Sequence, residues 1–172
     1  MLSLALLRHT KSSWETGEQD DFDRPLNERG RNAAPIMGEA LKSIAFEPQL
    51  ILCSPAKRTR ETLELLELSH KRSHENVLFD EQLYLTNPET LLDRLHQVAP
   101  TSKRVLLIGH NPGLHGLALM LAGTGDAKSI SRLEDKFPTG ALAVFSFQET
   151  AWRDVQPASG RLEAFITPRD RS

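Results

Sequence analysis

Apolar residues in this chain come in two patterns that alternate along its length. In the first they form short unbroken runs: Leu4-Ala5-Leu6-Leu7 within the opening stretch, Leu50-Ile51-Leu52-Cys53, Val77-Leu78-Phe79, Val105-Leu106-Leu107-Ile108, Ala141 to Phe147, and a last run near Leu162 to Ile166. Such runs, bounded by polar or Pro/Gly-bearing stretches, read as strands covered on both faces. In the second pattern apolar positions recur every three or four residues. This holds for Ala33, Met37, Ala40, Leu41 and Ile44 after a capping residue at Asn27, for Thr59 to Leu68, for Leu91, Leu92, Leu95 and Val98 after Asn87-Pro88, and for the stretch from Asn111-Pro112 through Leu121. These are helix signatures with Asn caps and first-turn prolines. Six strands alternating with four helices predict an α/β fold: a three-layer α/β/α sandwich with a mostly parallel central sheet of about six strands, formed as a single domain over residues 1–172.

Charge and composition remove several function classes. The chain has 172 residues and a net charge of −2, with 21 basic and 23 acidic side chains spread along it, so no basic footprint for nucleic acid is present. Its one cysteine, Cys53, has no partner for an internal disulfide and lies in an apolar run, as expected for a buried thiol. The charge-free span Val105 to Gly125 is long enough to suggest a membrane helix, but Gly109-His110-Asn111-Pro112-Gly113 breaks it into a strand and a helix. No membrane span is assigned. Lacking a basic segment before the first apolar run and a cleavage site after it, the chain is expected to be cytoplasmic. Two polar stretches, Ser13 to Asn27 and Thr124 to Lys136, read as either solvated connector and surface helix or segments bordering a site. His70 and His74, four apart, have no carboxylate or thiol beside them and read as surface residues rather than metal ligands.

Three of the apolar runs end in residues suited to phosphoryl chemistry. Arg8 and His9 close the first, Arg58 lies just past the second, and His110 follows Val105 to Ile108. Open α/β sheets place their ligand crevice at the carboxyl ends of strands, so these four groups can converge. Guanidinium groups grip phosphate oxygens and spread charge in a loose transition state, and a neutral histidine is a nucleophile. The cations would also keep His9 neutral by disfavouring a third positive charge. The helix start after Asn111-Pro112 adds backbone N–H groups beside His110. No metal or cofactor is required by this set.

The chain resembles the histidine phosphatase superfamily, also called phosphoglycerate mutase-like, and within it the SixA-type phosphohistidine phosphatases. Leu7-Arg8-His9-Thr10-Lys11-Ser12 is similar to the superfamily's Arg-His-Gly signature, with Thr10 in place of glycine. The stretches Asp23 to Gly30, Cys53 to Thr62 and Gly109 to Gly113 resemble three further family blocks in the same order. The resemblance implies that His9 becomes transiently phosphorylated, that Arg8, Arg58 and His110 complete the phosphate pocket, and that Thr10, Ser12 and Asn111 line it. Ester-cleaving members of the family have a glutamate acid in a Leu-x-Glu block; here Leu83 is followed by Tyr84-Leu85, and Asp80 and Glu81 are out of register. An imidazole leaving as a neutral base from a protonated phosphohistidine has a conjugate-acid pKa of about 6.5 and needs little help, whereas an alkoxide gains from proton donation. The expected partner is therefore a phosphorylated protein bearing phosphohistidine. The alternatives are a small phosphorylated molecule on the same scaffold and, from a different class, a non-catalytic module that binds phosphorylated ligands. The sequence does not specify the physiological substrate or the oligomeric state.

Overall fold

The structure, a computed structural model, describes residues 1–14, 20–68 and 76–171. His70 and His74, and part of the polar stretch after Ser13, lie outside the described residues. The elements are β1 (Leu2–Arg8), α1 (Glu28–Ser43), β2 (Leu50–Cys53), α2 (Lys57–Leu65), β3 (Val77–Phe79), α3 (Pro88–His96), β4 (Arg104–Gly109), α4 (Gly113–Leu121), β5 (Ala122–Gly125), α5 (Ala127–Asp135), β6 (Leu142–Phe147) and β7 (Gly160–Ile166). Asn27 and Asn87 cap α1 and α3 by accepting the N–H groups of Gly30 and Thr90, with Pro88 in the first turn of α3. Asp126 caps α5 in the same way through Ser129.

The seven strands form one sheet in the order β3-β2-β4-β1-β6-β7-β5. Strands β3, β2, β4 and β1 run parallel, β6 is antiparallel to both neighbours, and β7 pairs in parallel with β5. The side-chain alternation of a strand sends Leu2, Leu4 and Leu6 of β1 into a core closed by α3, α4 and α5. Ala5 and Leu7 point the other way, against Met37, Ala40 and Leu41 of α1. Helices thus cover both faces, and for that reason the central strands read as unbroken apolar runs.

The count of about six strands becomes seven because Ala122–Gly125 pairs with β7. Ala-Gly-Thr-Gly has almost no strand propensity, and the segment follows α4 without a loop, so its sequence carries no strand signal of its own. The polar stretch Thr124 to Lys136 is accordingly the end of β5 and the surface helix α5, which is anchored by the fully buried Leu133. His96, near the end of α3, places its Nε2 2.7 Å from the Val155 carbonyl.

Parallel β1, β2 and β4 bring their carboxyl ends to one rim, and the reversed β6 brings its beginning there too. The Arg8 N–H donates to the Ala141 carbonyl (3.0 Å), and the Gly140 N–H reaches the carbonyls of Arg8 and His9 (3.1 and 2.9 Å). On the opposite side α1 starts against the same rim: a Cβ on Gly30 would stand 2.0 Å from the Lys11 carbonyl oxygen. Gly30→Ala is therefore expected to push the Lys11 backbone, and with it His9, out of place. A loss of about 1–3 kcal/mol is anticipated, read as a lower thermal midpoint together with reduced activity; an unchanged midpoint would show that the backbone yields without strain.

Candidate active site

His9, directly after β1, is nearly buried, 5% exposed. Its Nδ1 lies 2.7 Å from the Thr10 carbonyl, which can only accept, so the ring proton sits on Nδ1 and Nε2 carries the lone pair. Thr10 is held in turn by α2: its N–H donates to Thr62 Oγ1 (3.1 Å), and the Thr62 hydroxyl donates to the Arg58 carbonyl (2.7 Å). The ring of His110, after β4, lies 5.4 Å from that of His9 and 5.4 Å from the ring of Tyr84, edge-on to the latter. His110 Nε2 is 2.7 Å from Ser54 Oγ, at the end of β2.

Arg58 lies in the first turn of α2 rather than in the turn before it, and only 2% of it is exposed. Its Nη1 donates to the Asp21 carbonyl (2.7 Å) and its Nη2 to the Asp21 carboxylate (3.0 Å). The Tyr84 hydroxyl donates to the same carboxylate oxygen. Asp21 also accepts from Arg24 Nε (3.0 Å), and Arg24 Nη1 donates to Ser12 Oγ (2.9 Å) while its guanidinium stacks 3.6 Å from the Trp14 ring centre. Arg8 Nη1 donates to the Phe137 carbonyl (3.1 Å). Three buried nitrogens of this group, Arg8 Nε, Arg58 Nε and His110 Nδ1, have no hydrogen-bond partner among the described residues.

Charge and burial set the protonation states. Burial lowers the pKa of His9 to about 3 against the pull of the Thr10 carbonyl, with Arg58, Arg8 and Arg24 adding to the effect. Burial, Arg58 and His9 likewise take His110 down to about 3. Burial favours the neutral form of Asp21, but the Tyr84 hydroxyl and Arg58 outweigh it and hold the carboxyl at about 2. Both histidines are therefore neutral in the folded protein down to about pH 3, while in the unfolded chain they gain protons below about pH 6.5. The unfolded state binds more protons in that window, so their contribution is fully present above 6.5 and is lost as pH falls towards 3. The thermal midpoint should drop from pH 7 to pH 4, and the His9→Gln/His110→Gln variant should show a shallower drop; parallel profiles would contradict this assignment.

Of the residues singled out in the sequence, Arg8, His9, Arg58 and His110 are brought together, with Thr10 and Ser12 beside them. Asn111 does something else with its side chain: Nδ2 donates to the Phe137 carbonyl (2.8 Å) and Oδ1 accepts the His115 N–H (3.2 Å). It fastens α4 to the turn before β6. Asp80 is paired with Arg94 (2.7 Å) and Glu81 is exposed. Asp21, Arg24, Ser54 and Tyr84 were not assigned to the site from sequence. Asp21 sits among other acidic residues in a polar stretch, and nothing in its spacing distinguishes it from Asp20 or Asp23. The base of that stretch is fixed, since Ser12 bridges Leu26, the Asn27 N–H donates to the Lys11 carbonyl (3.0 Å) and the Leu26 N–H donates to Glu61 (2.8 Å). Among the described residues no group of three or more His, Cys, Asp or Glu side chains is placed to hold a metal ion, and no helix is long and apolar enough to cross a membrane.

Comparison with known proteins adds to this geometry. Residues 4–84 match the family model of the histidine phosphatase superfamily, branch 1. The uncharacterised protein Rv1276c of Mycobacterium tuberculosis is 33% identical over 165 residues, which cover 95% of this chain and 100% of that protein. A solved structure from Nakamurella multipartitia, assigned as a phosphohistidine phosphatase SixA, superimposes with a TM-score of 0.81 at 26% identity over 97% of this chain and 96% of the other. A protein of Agrobacterium tumefaciens with the same assignment gives 0.76 at 29% identity, covering 97% and 98%.

Proposed function

Because the chain belongs to the histidine phosphatase superfamily, and within it to the SixA-type branch, we infer that it is a phosphatase acting through His9 on protein phosphohistidine. The observation that carries this reading is the bond from His9 Nδ1–H to the Thr10 carbonyl, which fixes the lone pair on Nε2 beside two guanidinium groups. In the first step Nε2 attacks phosphorus; the Nε2–P bond forms as the bond to the leaving group breaks, and the leaving group keeps the electron pair. Arg8 and Arg58 hold the equatorial oxygens, which supply the acceptors that Arg8 Nε and Arg58 Nε lack among the described residues. With the Ser54 hydroxyl donating to His110 Nε2, the proton of His110 lies on Nδ1 and is available to a phosphoryl oxygen. Water then attacks the phosphorus of phosphorylated His9, inorganic phosphate departs, and Nε2 recovers its lone pair. Arg24, Asp21 and Tyr84 position this set: they brace Arg58 from the side away from its Nε.

The leaving group follows from the carboxylates. Asp80 is engaged by Arg94, Glu81 is exposed, and Asp21 is held ionised, so none is poised in the free protein to protonate an alkoxide. An imidazole whose other ring nitrogen is protonated leaves as the neutral base, its own proton taking the place of a donor from the protein. With matched substrates, kcat/KM for a phosphohistidine peptide should exceed that for a phosphoserine peptide by at least about 100-fold, the lower range of what a general acid supplies. Equal or reversed preference would favour a small phosphate ester instead. Turnover of any of these substrates disposes of a purely ligand-binding role.

A further inference from the structure

Beside the phosphate pocket lies a cleft of about 440 Å³ lined by five basic and two acidic side chains, on a chain whose net charge is −2. Its floor is the carboxyl end of β7 with Phe165 and Thr167, and one wall is Pro138 and Thr139. Those two residues belong to the turn that touches the proposed catalytic set, where the Phe137 carbonyl accepts from Arg8 and the Gly140 N–H reaches the His9 carbonyl. Lys11, two residues after His9, also lines the cleft.

Four of the cleft's five cations fall into two kinds. Arg132 is satisfied by a two-pronged pair with Asp170 (2.7 and 3.0 Å). Lys11, Arg29 and Lys136 are exposed, and none makes an ion pair or side-chain hydrogen bond with another described residue. They come from three separate segments: the loop after β1, the first turn of α1 and the end of α5. Of the two acidic residues that line the cleft, Asp170 is paired with Arg132 and Asp135 is exposed. A field of one sign gathered in a concave surface raises the local concentration of the opposite charge and orients its approach. The phosphate pocket cannot be what these cations serve, because Arg8 and Arg58 already fill that role and the Phe137–Gly140 turn stands between.

We propose that this cleft is the docking site for an acidic segment of the phosphorylated protein, engaged while the phosphoryl group sits against His9. The proposal rests on the phosphatase reading of the site and extends it to how the partner is chosen. A ligand held by both the pocket and the cleft must pass over the turn between them, which suits a protein surface and not a compact metabolite. The recognition is electrostatic and partly exposed, so it should act chiefly on KM and fade with salt.

The test uses two synthetic phosphohistidine peptides of equal length, one flanked by aspartates and glutamates and one by serines and glutamines, with fluorescent unphosphorylated copies of each. The expected result is a KM at least about tenfold lower for the acidic peptide at low salt, with similar kcat, and tighter binding of its unphosphorylated copy. Arg29→Glu/Lys136→Glu should abolish both differences and leave turnover of N-acetyl phosphohistidine unchanged. Lys42→Glu/Arg153→Glu, the same charge change away from the cleft, should leave them intact. Equal binding of the two unphosphorylated peptides, or a preference that survives the Arg29/Lys136 double change, overturns the docking site. Failure to hydrolyse either phosphopeptide while p-nitrophenyl phosphate is turned over overturns the phosphohistidine reading; the binding arm still decides the cleft.

Discussion

His9→Ala should lower kcat by at least about 10⁴-fold, the scale on which removing a covalent nucleophile acts when the remaining site is intact. Wild-type protein quenched in mid-turnover should carry phosphate that is labile in acid and stable in alkali, as expected of a phosphorylated imidazole, and the variant should carry none. Binding of an oxyanion such as vanadate should persist in the variant, because Arg8, Arg58 and His110 do not depend on His9 for their placement. His9→Ala also removes a buried imidazole that resists protonation, so its thermal midpoint should fall less between pH 7 and pH 5 than that of the wild type. Unaltered labelling of the variant would move the nucleophile elsewhere.

Arg58→Ala is expected to cut kcat/KM by about 10³-fold, with both kcat and KM affected, since the guanidinium would bind phosphate in the ground state and stabilise it more strongly in the transition state. Arg58→Lys should recover only part of the loss. A lysine cannot reproduce the fork that reaches the Asp21 carbonyl and carboxylate at 2.7 and 3.0 Å while keeping a further N–H for substrate. Loss of Arg58 also removes the cation that helps keep Asp21 ionised, so the Asp21 carboxyl should titrate at higher pH in the variant, measurable by carbon-detected NMR. If Arg58→Lys retained full activity, the fork geometry would be irrelevant to the reaction.

The central sheet was legible because burial on both faces writes itself into the sequence as runs such as Leu4 to Leu7 and Val105 to Ile108. Helix starts at Asn27 and Asn87 were legible because an Asn side chain accepting an N–H three residues on is a local event. Strand β5 was not, since Ala122–Gly125 is a strand only through its pairing with β7, whose partner residues lie 37 or 38 positions away. The same divide runs through the site. Arg8, His9, Arg58 and His110 could be assembled from the rule that parallel strands end on one rim. Asp21 could not: its contact with Arg58 spans 37 residues and depends on how the chain returns to pair Leu26 with Ser12. Asn111 shows the converse, a residue whose neighbourhood in sequence suggested the pocket while its amide is engaged with Phe137 and His115.

The reversed strand β6 has a consequence for how the protein is made. Arg8 and His9 precede β6 by more than 130 residues, yet Arg8 needs the carbonyls of Phe137 and Ala141, and Leu4 needs its pairing with Phe145 across the central pair of strands. A chain that ends after His110 but before β6 therefore carries every group of the phosphate pocket without the wall that seats its first arginine. Competence to bind phosphate should switch on late and abruptly in synthesis, when β6 inserts beside β1, and a translation product stopped before that point should be inert whatever its sequence upstream.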